Sequence, residues 1–239
     1  RKEGKKGKII MTLTIVVGIF GALLAYIIGV GEALAAIFNL NAFWFSLGFF
    51  VVAAALLYFG IKSVAESELL LTRLVLTLIL IISFVCIFSG KISLSNLSEF
   101  NLMKIFIPYG VILFAFIGAS SVPEMAEVFK KNKKNFRKCI IIGSLIPLFI
   151  YSIFALSVVG VFGTKVTQIA TLGLGLEFGK VIVVIANLFA TFAMTTSFLT
   201  LGLALREMFD YDYKLSNFSS WAITCFIPLT IFSFGFKDF

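Results

Sequence analysis

The sequence predicts an all-α membrane protein that folds as a multi-span helical bundle. Of its 239 residues, 60% are hydrophobic and only 13% are charged, and the mean hydropathy is +1.09. A soluble domain of this size could not bury so much apolar surface, so the expected solvent is a lipid bilayer. Long apolar runs also recur along the chain between short polar segments. This pattern is typical of helices that cross a membrane.

Seven spans are predicted within a single transmembrane domain covering residues 1–239. The first span is long enough for a tilted helix, and a tight turn at 39–41 separates it from the second. The polar segments 61–68 and 89–102 are predicted to be loops, and 163–178 is predicted to be a glycine- and threonine-rich loop, with a partly helical structure as the alternative. Because the chain begins at Arg1 and lacks a signal-peptide pattern, we expect it to be a fragment. The predicted spans are 9–38, 43–60, 69–88, 104–129, 139–162, 181–205 and 218–236.

Lysine and arginine are distributed unevenly between the two sides of such a bundle. Four segments on one side, together with Arg73, carry 15 of the 20 basic residues. Basic loops next to spans remain in the cytoplasm, so we predict a multi-pass protein of the cytoplasmic membrane. The predicted cytoplasmic loops are 1–8, 61–68, 130–138 and 206–214.

The most basic segment is KKNKKNFRK, residues 130–138. A short basic run beside a membrane span indicates topology or contact with anionic lipid more readily than contact with nucleic acid. The predicted partners are therefore the lipid bilayer and a small molecule, and no nucleic acid is expected.

Enzymatic and metal-binding functions have little support in the composition. The chain has no histidine, which is the commonest general base and metal ligand. Cys86, Cys139 and Cys225 are odd in number and widely spaced, which favours neither a disulfide framework nor a zinc site. A membrane-embedded enzyme is the weakest interpretation, since paired mid-membrane carboxylates and a nucleophile–base pair are missing. We predict no catalytic residue, no metal site and no cofactor.

The span 104–129 is interrupted by the sequence GASSVP at 118–123. Pro123 has no amide hydrogen, and its ring disfavours helical geometry in the preceding residue. Backbone groups freed at this depth must face protein or a watery cavity, as they do in the substrate sites of many secondary transporters. Alternatively, this is a proline-kinked helix in which the hydroxyls of Ser120 and Ser121 satisfy their own backbone.

Three carboxylates near the predicted spans are candidate gating groups. Glu124 and Glu127 follow the break on its cytoplasmic half, where they could line an inner gate. Acidic residues also suit the first turn of a helix, which is the alternative explanation. Glu32 lies near the outer end of the first span. An intramembrane carboxylate is a functional candidate, but this one could simply reach interfacial water.

The sixth span carries a second polar cluster. Asn187, Thr191 and Thr195 recur every four residues and therefore share one helical face, with Thr196 and Ser197 beside it. Hydroxyl oxygens are suitable ligands for a small hard cation such as sodium. Serine and threonine also pack membrane helices and bond to the carbonyl one turn earlier, so both interpretations stay open.

Several motifs together resemble a known family. FAFIGASSVPEMAEVF (114–129), followed by PLFIYSIFALSVVGVFG (147–163), resembles the sixth and seventh helices of amino-acid permeases. These belong to the amino acid–polyamine–organocation superfamily, near its hydroxy/aromatic amino acid permease branch. AYIIGVGEAL (25–34) is similar to the third helix of that family, and TTSFLTLGLALREMF (195–209) to the eighth.

The resemblance implies a five-plus-five inverted-repeat transporter fold with a broken helix, of which this chain supplies helices three to nine. The broken segment would offer backbone groups to the amino and carboxylate groups of the substrate, and a tyrosine of the third helix would approach it. The substrate-binding residues so implied are Gly118, Ala119, Ser120, Ser121 and Tyr26.

The resemblance also suggests an ion site. Thr196 and Ser197 fall where sodium-coupled relatives place ion ligands, although proton-coupled relatives use the same fold without that ion. Arg73 is the charged residue of the fifth helix, and it lies too close to the cytoplasmic end to replace the ion. The coupling ion is therefore either a proton or sodium.

These observations predict a secondary active transporter that moves an amino acid across the cytoplasmic membrane by alternating access. A proton or sodium gradient would drive it. The alternative is a channel, or passive permeation pathway, lined by the broken helix.

Overall fold

The structure is a computed structural model, and it describes residues 5–98, 132–166 and 178–235. Positions 102, 105–110, 122, 125–126 and 129 are also described. Within these residues every regular element is helical, which confirms the predicted all-α class. Gly118–Ser121, Glu124 and Glu127 lie outside the described residues, so the predicted helix break stays a prediction.

Six long helices and one short helix are described. Five of the long helices, α1, α2, α3, α5 and α6, are apolar and long enough to cross a membrane. α7 has 17 residues and coincides with the last predicted span. The helices are α1 (Lys5–Phe38), α2 (Ala42–Phe59), α3 (Ile61–Phe88), α4 (Leu94–Leu97), α5 (Lys133–Phe162), α6 (Lys180–Tyr211) and α7 (Asn217–Ser233), with a 3₁₀ turn at Gly163–Lys165.

The polar segment 61–68, predicted to be a loop, is instead the first two turns of α3. Gly60 alone separates α2 from α3, and its φ of +85° lies in the left-handed region that favours glycine. The chain can therefore reverse direction within one residue. Lysine, arginine and glutamate are also good helix formers, so a polar segment without glycine or proline can continue a helix. For the same reason, the ends of the basic segments 1–8 and 130–138 are helical.

α6 lies at the centre of the described bundle, where it packs against α1, α2, α3 and α7. The larger hydrophobic core is built mainly by α1, α2, α6 and α7. Its fully buried side chains include Leu23 and Ile27 of α1, Leu57 of α2, and Phe198 and Leu199 of α6. The close packing of these side chains makes the four helices one compact unit.

A second, smaller core joins α3, α5 and α6. Its buried residues are Ile82, Cys86, Val158, Ile182 and Ala186. Near this core, the segment after α3, which includes α4, forms hydrogen bonds with the end of α5. The Asn96 side-chain amide donates to the Gly160 carbonyl at 2.8 Å, and the Ser93 amide donates to the same carbonyl at 3.0 Å. These bonds satisfy a carbonyl near the end of α5 that would otherwise lack full helical pairing.

The outer surface of the bundle is strongly apolar. The most apolar stretch of α5 contains no buried residue. Ile142, Phe149 and Leu156 are each more than half exposed there. A surface of this kind is unfavourable in water and favourable against lipid. The exposed faces of the helices therefore suit a bilayer environment.

Candidate functional site

The polar face predicted for the sixth span lies on α6 and is largely buried. The Asn187 amide donates to Val183 O at 2.9 Å, and the hydroxyls of Thr191 and Thr195 each donate to the carbonyl four residues earlier. The hydroxyl hydrogens are thus taken up by the helix itself, as in ordinary packing of membrane helices. Each hydroxyl oxygen still has a lone pair that can accept a hydrogen bond or bind a cation.

The two predicted ion ligands adjoin this face. Thr196 and Ser197 both donate to Ala193 O, at 2.8 Å and 3.0 Å. The Ser197 side chain also forms a hydrogen bond with the half-buried side chain of Tyr26 on α1. Tyr26 and Ser197, predicted from the sequence as parts of two neighbouring sites, are therefore in direct contact across the α1–α6 interface.

The helices approach each other closely at this contact. A Cβ atom added to Gly29 of α1 would lie 2.5 Å from the sulfur of Met194 on α6. The thioether end of Met194 therefore packs directly on the backbone of α1 at Gly29, three residues after Tyr26. A larger residue at position 29 would require the Met194 side chain to move.

A second polar contact joins α6 to α3 one helical turn further on. The Thr200 hydroxyl donates to the carboxylate Oε1 of Glu68 and also lies 2.9 Å from the Thr196 carbonyl oxygen. Glu68 is half-buried. Sequence reasoning missed this residue because it assigned 61–68 to a loop. The available signal was a carboxylate placed directly before the apolar run LLLTRLVLTLIL.

Arg206 is buried in a helix, which the sequence analysis had not predicted. It was predicted to lie in the cytoplasmic loop 206–214, but it belongs to α6 and is only 8% exposed. Its guanidinium donates to the carbonyl oxygens of Leu57 and Tyr58 and to Oδ1 of Asn217. The last carbonyls of a helix lack intrahelical partners, and arginine supplies several donors. Arg206 therefore ties the end of α2 to the start of α7.

An open cleft of about 280 Å³ lies beside Arg206, where α2, α6 and α7 meet. Acidic side chains of α6 and the Asn217 amide share this cleft with the guanidinium. It lies at the predicted cytoplasmic end of the bundle, away from the Tyr26–Ser197 contact. The lining residues are Phe59, Gly60, Leu203, Arg206, Glu207, Asp210, Tyr211 and Asn217.

The other predicted site residues are not brought to this location. Glu32 is exposed, six residues before the end of α1, and its gating role stays a prediction. Among the described residues, no three cysteine, aspartate or glutamate side chains cluster as a metal site would require. The polar contacts of the described bundle are thus concentrated along α6.

The chain matches the model of the tryptophan/tyrosine permease family over residues 2–237. The chain belongs to this family. The match covers nearly the whole sequence, including the central segment that the structure does not describe. It assigns the chain to a family of membrane permeases rather than to an enzyme, and it confirms the amino-acid permease part of the resemblance.

Two curated relatives match over most of this chain. One, named Glutamine transporter 2, from Aliivibrio fischeri, is 24% identical over 242 residues and covers 95% of this chain. Another, named Tyrosine-specific transport system 1, from Haemophilus influenzae, is 27% identical over 262 residues and covers 98%. The chain spans 61% and 63% of their lengths. No solved structure gives a significant match.

Family membership and the apolar helices together describe a multi-pass membrane protein. Besides the contacts of Arg206, two polar bridges to α6 lie close together: Tyr26–Ser197 from α1 and Glu68–Thr200 from α3. Both bridges lie within a few residues of each other on α6, and they are the candidate functional site.

Proposed function

We propose that the protein is a secondary active transporter that moves an amino acid across the cytoplasmic membrane. The observation that carries this proposal is the family match over residues 2–237. The family description names tryptophan and tyrosine, and the two relatives are named for glutamine and tyrosine. These molecules share an α-ammonium group, an α-carboxylate and an uncharged side chain. We propose a substrate of this class.

The proposed binding site combines the segment 118–121 with Tyr26. An unwound helix exposes backbone amides and carbonyls, which can bind the carboxylate and ammonium groups of an amino acid. The half-buried position of Tyr26, held by Ser197, supports its assignment as a residue of the site wall. Thr196 and Ser197 are the proposed neighbours of the coupling ion, which is a proton or sodium.

Alternating access is part of the proposal, together with the seven spans and the five-plus-five inverted repeat. The sharing of one hydrophobic core by α1, α2, α6 and α7 supports movement of these helices as a unit. α5 contacts this unit through the smaller core and through α3. Such a division lets one group of helices rock against another around a fixed site.

The test is transport by the full-length protein reconstituted in liposomes. Uptake of a panel of labelled amino acids is measured under imposed pH and sodium gradients, and counterflow is then measured with unlabelled substrate inside. We expect saturable, stereoselective uptake of one or a few uncharged-side-chain amino acids, with counterflow. Flux that does not saturate and shows no counterflow would favour the channel. No flux of any amino acid through a demonstrably folded protein would refute transport of this class.

A further inference from the structure

We propose that Glu68 is a proton-binding site of the transporter, with Thr200 as its hydrogen-bond partner. The carboxylate would take up one proton from water on one side of the membrane and release it to water on the other. No bond other than O–H forms or breaks. This inference rests on the proposed transport function and deepens it by naming the coupling ion and the group that binds it.

The position of Glu68 is the first argument. It lies on α3 directly before the apolar run that begins with three leucines, at the edge of the part of α3 that is apolar and long enough to cross a membrane. Its side chain is half-buried against α6 instead of projecting freely into solvent. Carboxyl groups on spanning helices are uncommon, and in pumps and transporters they mark proton pathways.

The partner of the carboxylate is the second argument. In the part of the chain that the structure describes, Glu68 is paired with the neutral hydroxyl of Thr200 and forms no ion pair with lysine or arginine. A permanent ion pair would hold a carboxylate in its charged form. A hydroxyl does not impose this constraint, because it can donate to the carboxylate or accept from the protonated acid. Both protonation states can therefore exist at this contact.

The neighbourhood of Thr200 connects the proposed proton site to the proposed substrate site. Thr200 lies three residues after Ser197, so the two side chains share one face of α6. Ser197 is bonded to Tyr26 of α1, and Thr200 to Glu68 of α3. The α3–α6 contact therefore lies within one helical turn of the α1–α6 contact. This proximity supplies a short physical route from protonation to substrate binding.

Protonation would change the strength of the α3–α6 contact. A charged carboxylate accepts a stronger hydrogen bond than a neutral acid does. The contact between Glu68 and Thr200 is therefore tighter in the deprotonated state and weaker after proton uptake. Proton binding would favour the conformation in which α3 and α6 separate at this end. A difference of this kind is what couples a bound ion to a conformational equilibrium.

The other ionisable groups around this contact belong to α3 itself and to the helices packed against it, which are α6, α5 and α2. Arg206 is committed to Leu57, Tyr58 and Asn217, and the basic side chains at the start of α5 are exposed. The titratable or charged side chains described on these elements near this end are Glu66, Arg73, Tyr58, Lys133, Lys134, Arg137, Lys138, Arg206, Glu207 and Asp210, with Tyr26 on α1.

The experiment uses the full-length protein in liposomes and the substrate found in the transport test. Glu68→Gln keeps the shape and removes the titratable group. We expect this variant to retain counterflow, which needs no net proton movement. We also expect it to lose accumulation driven by a pH gradient by roughly tenfold, in the usual range of coupling effects. Glu66→Gln is the matched control: it makes the same change at an exposed position two residues earlier and should retain both activities.

Two results would overturn the proposal. One is accumulation by Glu68→Gln that responds to a pH gradient as the wild type does. The other is wild-type accumulation that is driven by sodium and is insensitive to the pH gradient. If the wild type shows no counterflow at all, the transport function itself fails, and this outcome is distinct from a failure of the proton site.

A second variant decides the question if Glu68→Gln does not fold. Thr200→Val removes the hydroxyl donor, so the charged form of Glu68 is less stabilised. The pH at which uptake is half-maximal should rise by about one unit, given the usual strength of a hydrogen bond to a charged group. Thr200→Ser keeps the hydroxyl and should restore the wild-type profile. An unchanged profile in Thr200→Val would contradict the proposal.

Discussion

Arg206 holds three helices together through hydrogen bonds to neutral groups. It is buried at the end of α6, and its partners are two carbonyls of α2 and the side chain of Asn217 on α7. A buried charge is tolerated where it is fully hydrogen-bonded. The guanidinium suits this place because its planar group of donors can reach acceptors on two helices at once.

We expect Arg206→Gln to destabilise the protein by about 1.5–3 kcal/mol, because bonds to a charged donor are lost and the α2 carbonyls are left without a partner. The thermal unfolding midpoint of the detergent-solubilised protein measures this change. Arg73→Gln is the control: Arg73 is exposed on α3, and its substitution should leave the midpoint almost unchanged. Equal midpoints for the two variants would show that Arg206 does not join the helices.

The proposed substrate site at the broken helix can be tested by substituting Gly118. We expect Gly118→Leu to abolish uptake without abolishing membrane insertion, because a bulky side chain would occupy the space that the substrate needs beside the unwound backbone. Gly110→Leu lies in the same predicted span at a position where an added Cβ atom meets nothing within 4 Å, and it should retain uptake. Normal uptake by Gly118→Leu, measured with labelled substrate in cells, would place the site elsewhere.

The packing of α1 against α2 depends on a glycine. A Cβ atom added to Gly31 would overlap Ser46 Oγ and would lie 2.8 Å from the Ala42 carbonyl oxygen. The serine side chain could rotate away, but the backbone carbonyl cannot move without shifting α2. The close approach of α1 and α2 beside their connecting turn therefore requires glycine at position 31. Asn41 caps the start of α2.

We expect Gly31→Ala to destabilise the protein by about 1–3 kcal/mol through overpacking. Gly21→Ala, on the same helix with nothing within 4 Å of the added atom, should be neutral or stabilising by up to about 1 kcal/mol. Thermal unfolding of both variants in the same detergent gives the comparison. A midpoint of Gly31→Ala at or above that of Gly21→Ala would contradict the close approach of α1 and α2.

The described molecule has one large core and one small core, and both include α6. The large core unites α1, α2, α6 and α7, and the small core attaches α3 and α5. Among the described residues, α5 contributes fewer buried side chains to these cores than α1 or α6 does. In the proposed mechanism, the helices of the large core would move together as one group.

The orientation of the bundle in the membrane can be tested by cysteine labelling. The three native cysteines are replaced by alanine, and single cysteines are introduced as Ser95→Cys or Asp212→Cys, both at exposed positions. Because the basic loops are predicted to be cytoplasmic, a membrane-impermeant thiol reagent should label Ser95→Cys in intact cells. It should label Asp212→Cys only after permeabilisation. The opposite pattern would reverse the predicted topology.

Sequence reasoning performed best on the existence of the helices. An apolar run long enough to cross a bilayer is a local property, and each predicted span within the described residues coincides with a helix of the structure. Helix ends were less well predicted. Segments 61–68 and 206–211 were assigned to loops because they are polar, but polar residues with good helix propensity extend a helix beyond its most apolar stretch.

The residues of the candidate site were predicted in part. The hydroxyl face of α6 follows from its four-residue spacing, and Tyr26 was selected through the resemblance to amino-acid permeases. Their direct contact was not foreseeable from either motif, because Tyr26 and Ser197 are brought together by the packing of α1 on α6. The segment 118–121 lies outside the described residues, and its role stays a prediction.

The amino-acid sequence alone determined the lipid environment, the helical class and the permease family, because hydrophobic composition and local motifs carry that information directly. The pairs Glu68–Thr200 and Arg206–Leu57 are separated by 132 and 149 residues and became visible only in the folded chain. Contacts over such distances depend on which faces of the helices pack together. That choice is made by the whole set of side chains at each interface, and no single segment of the sequence records it.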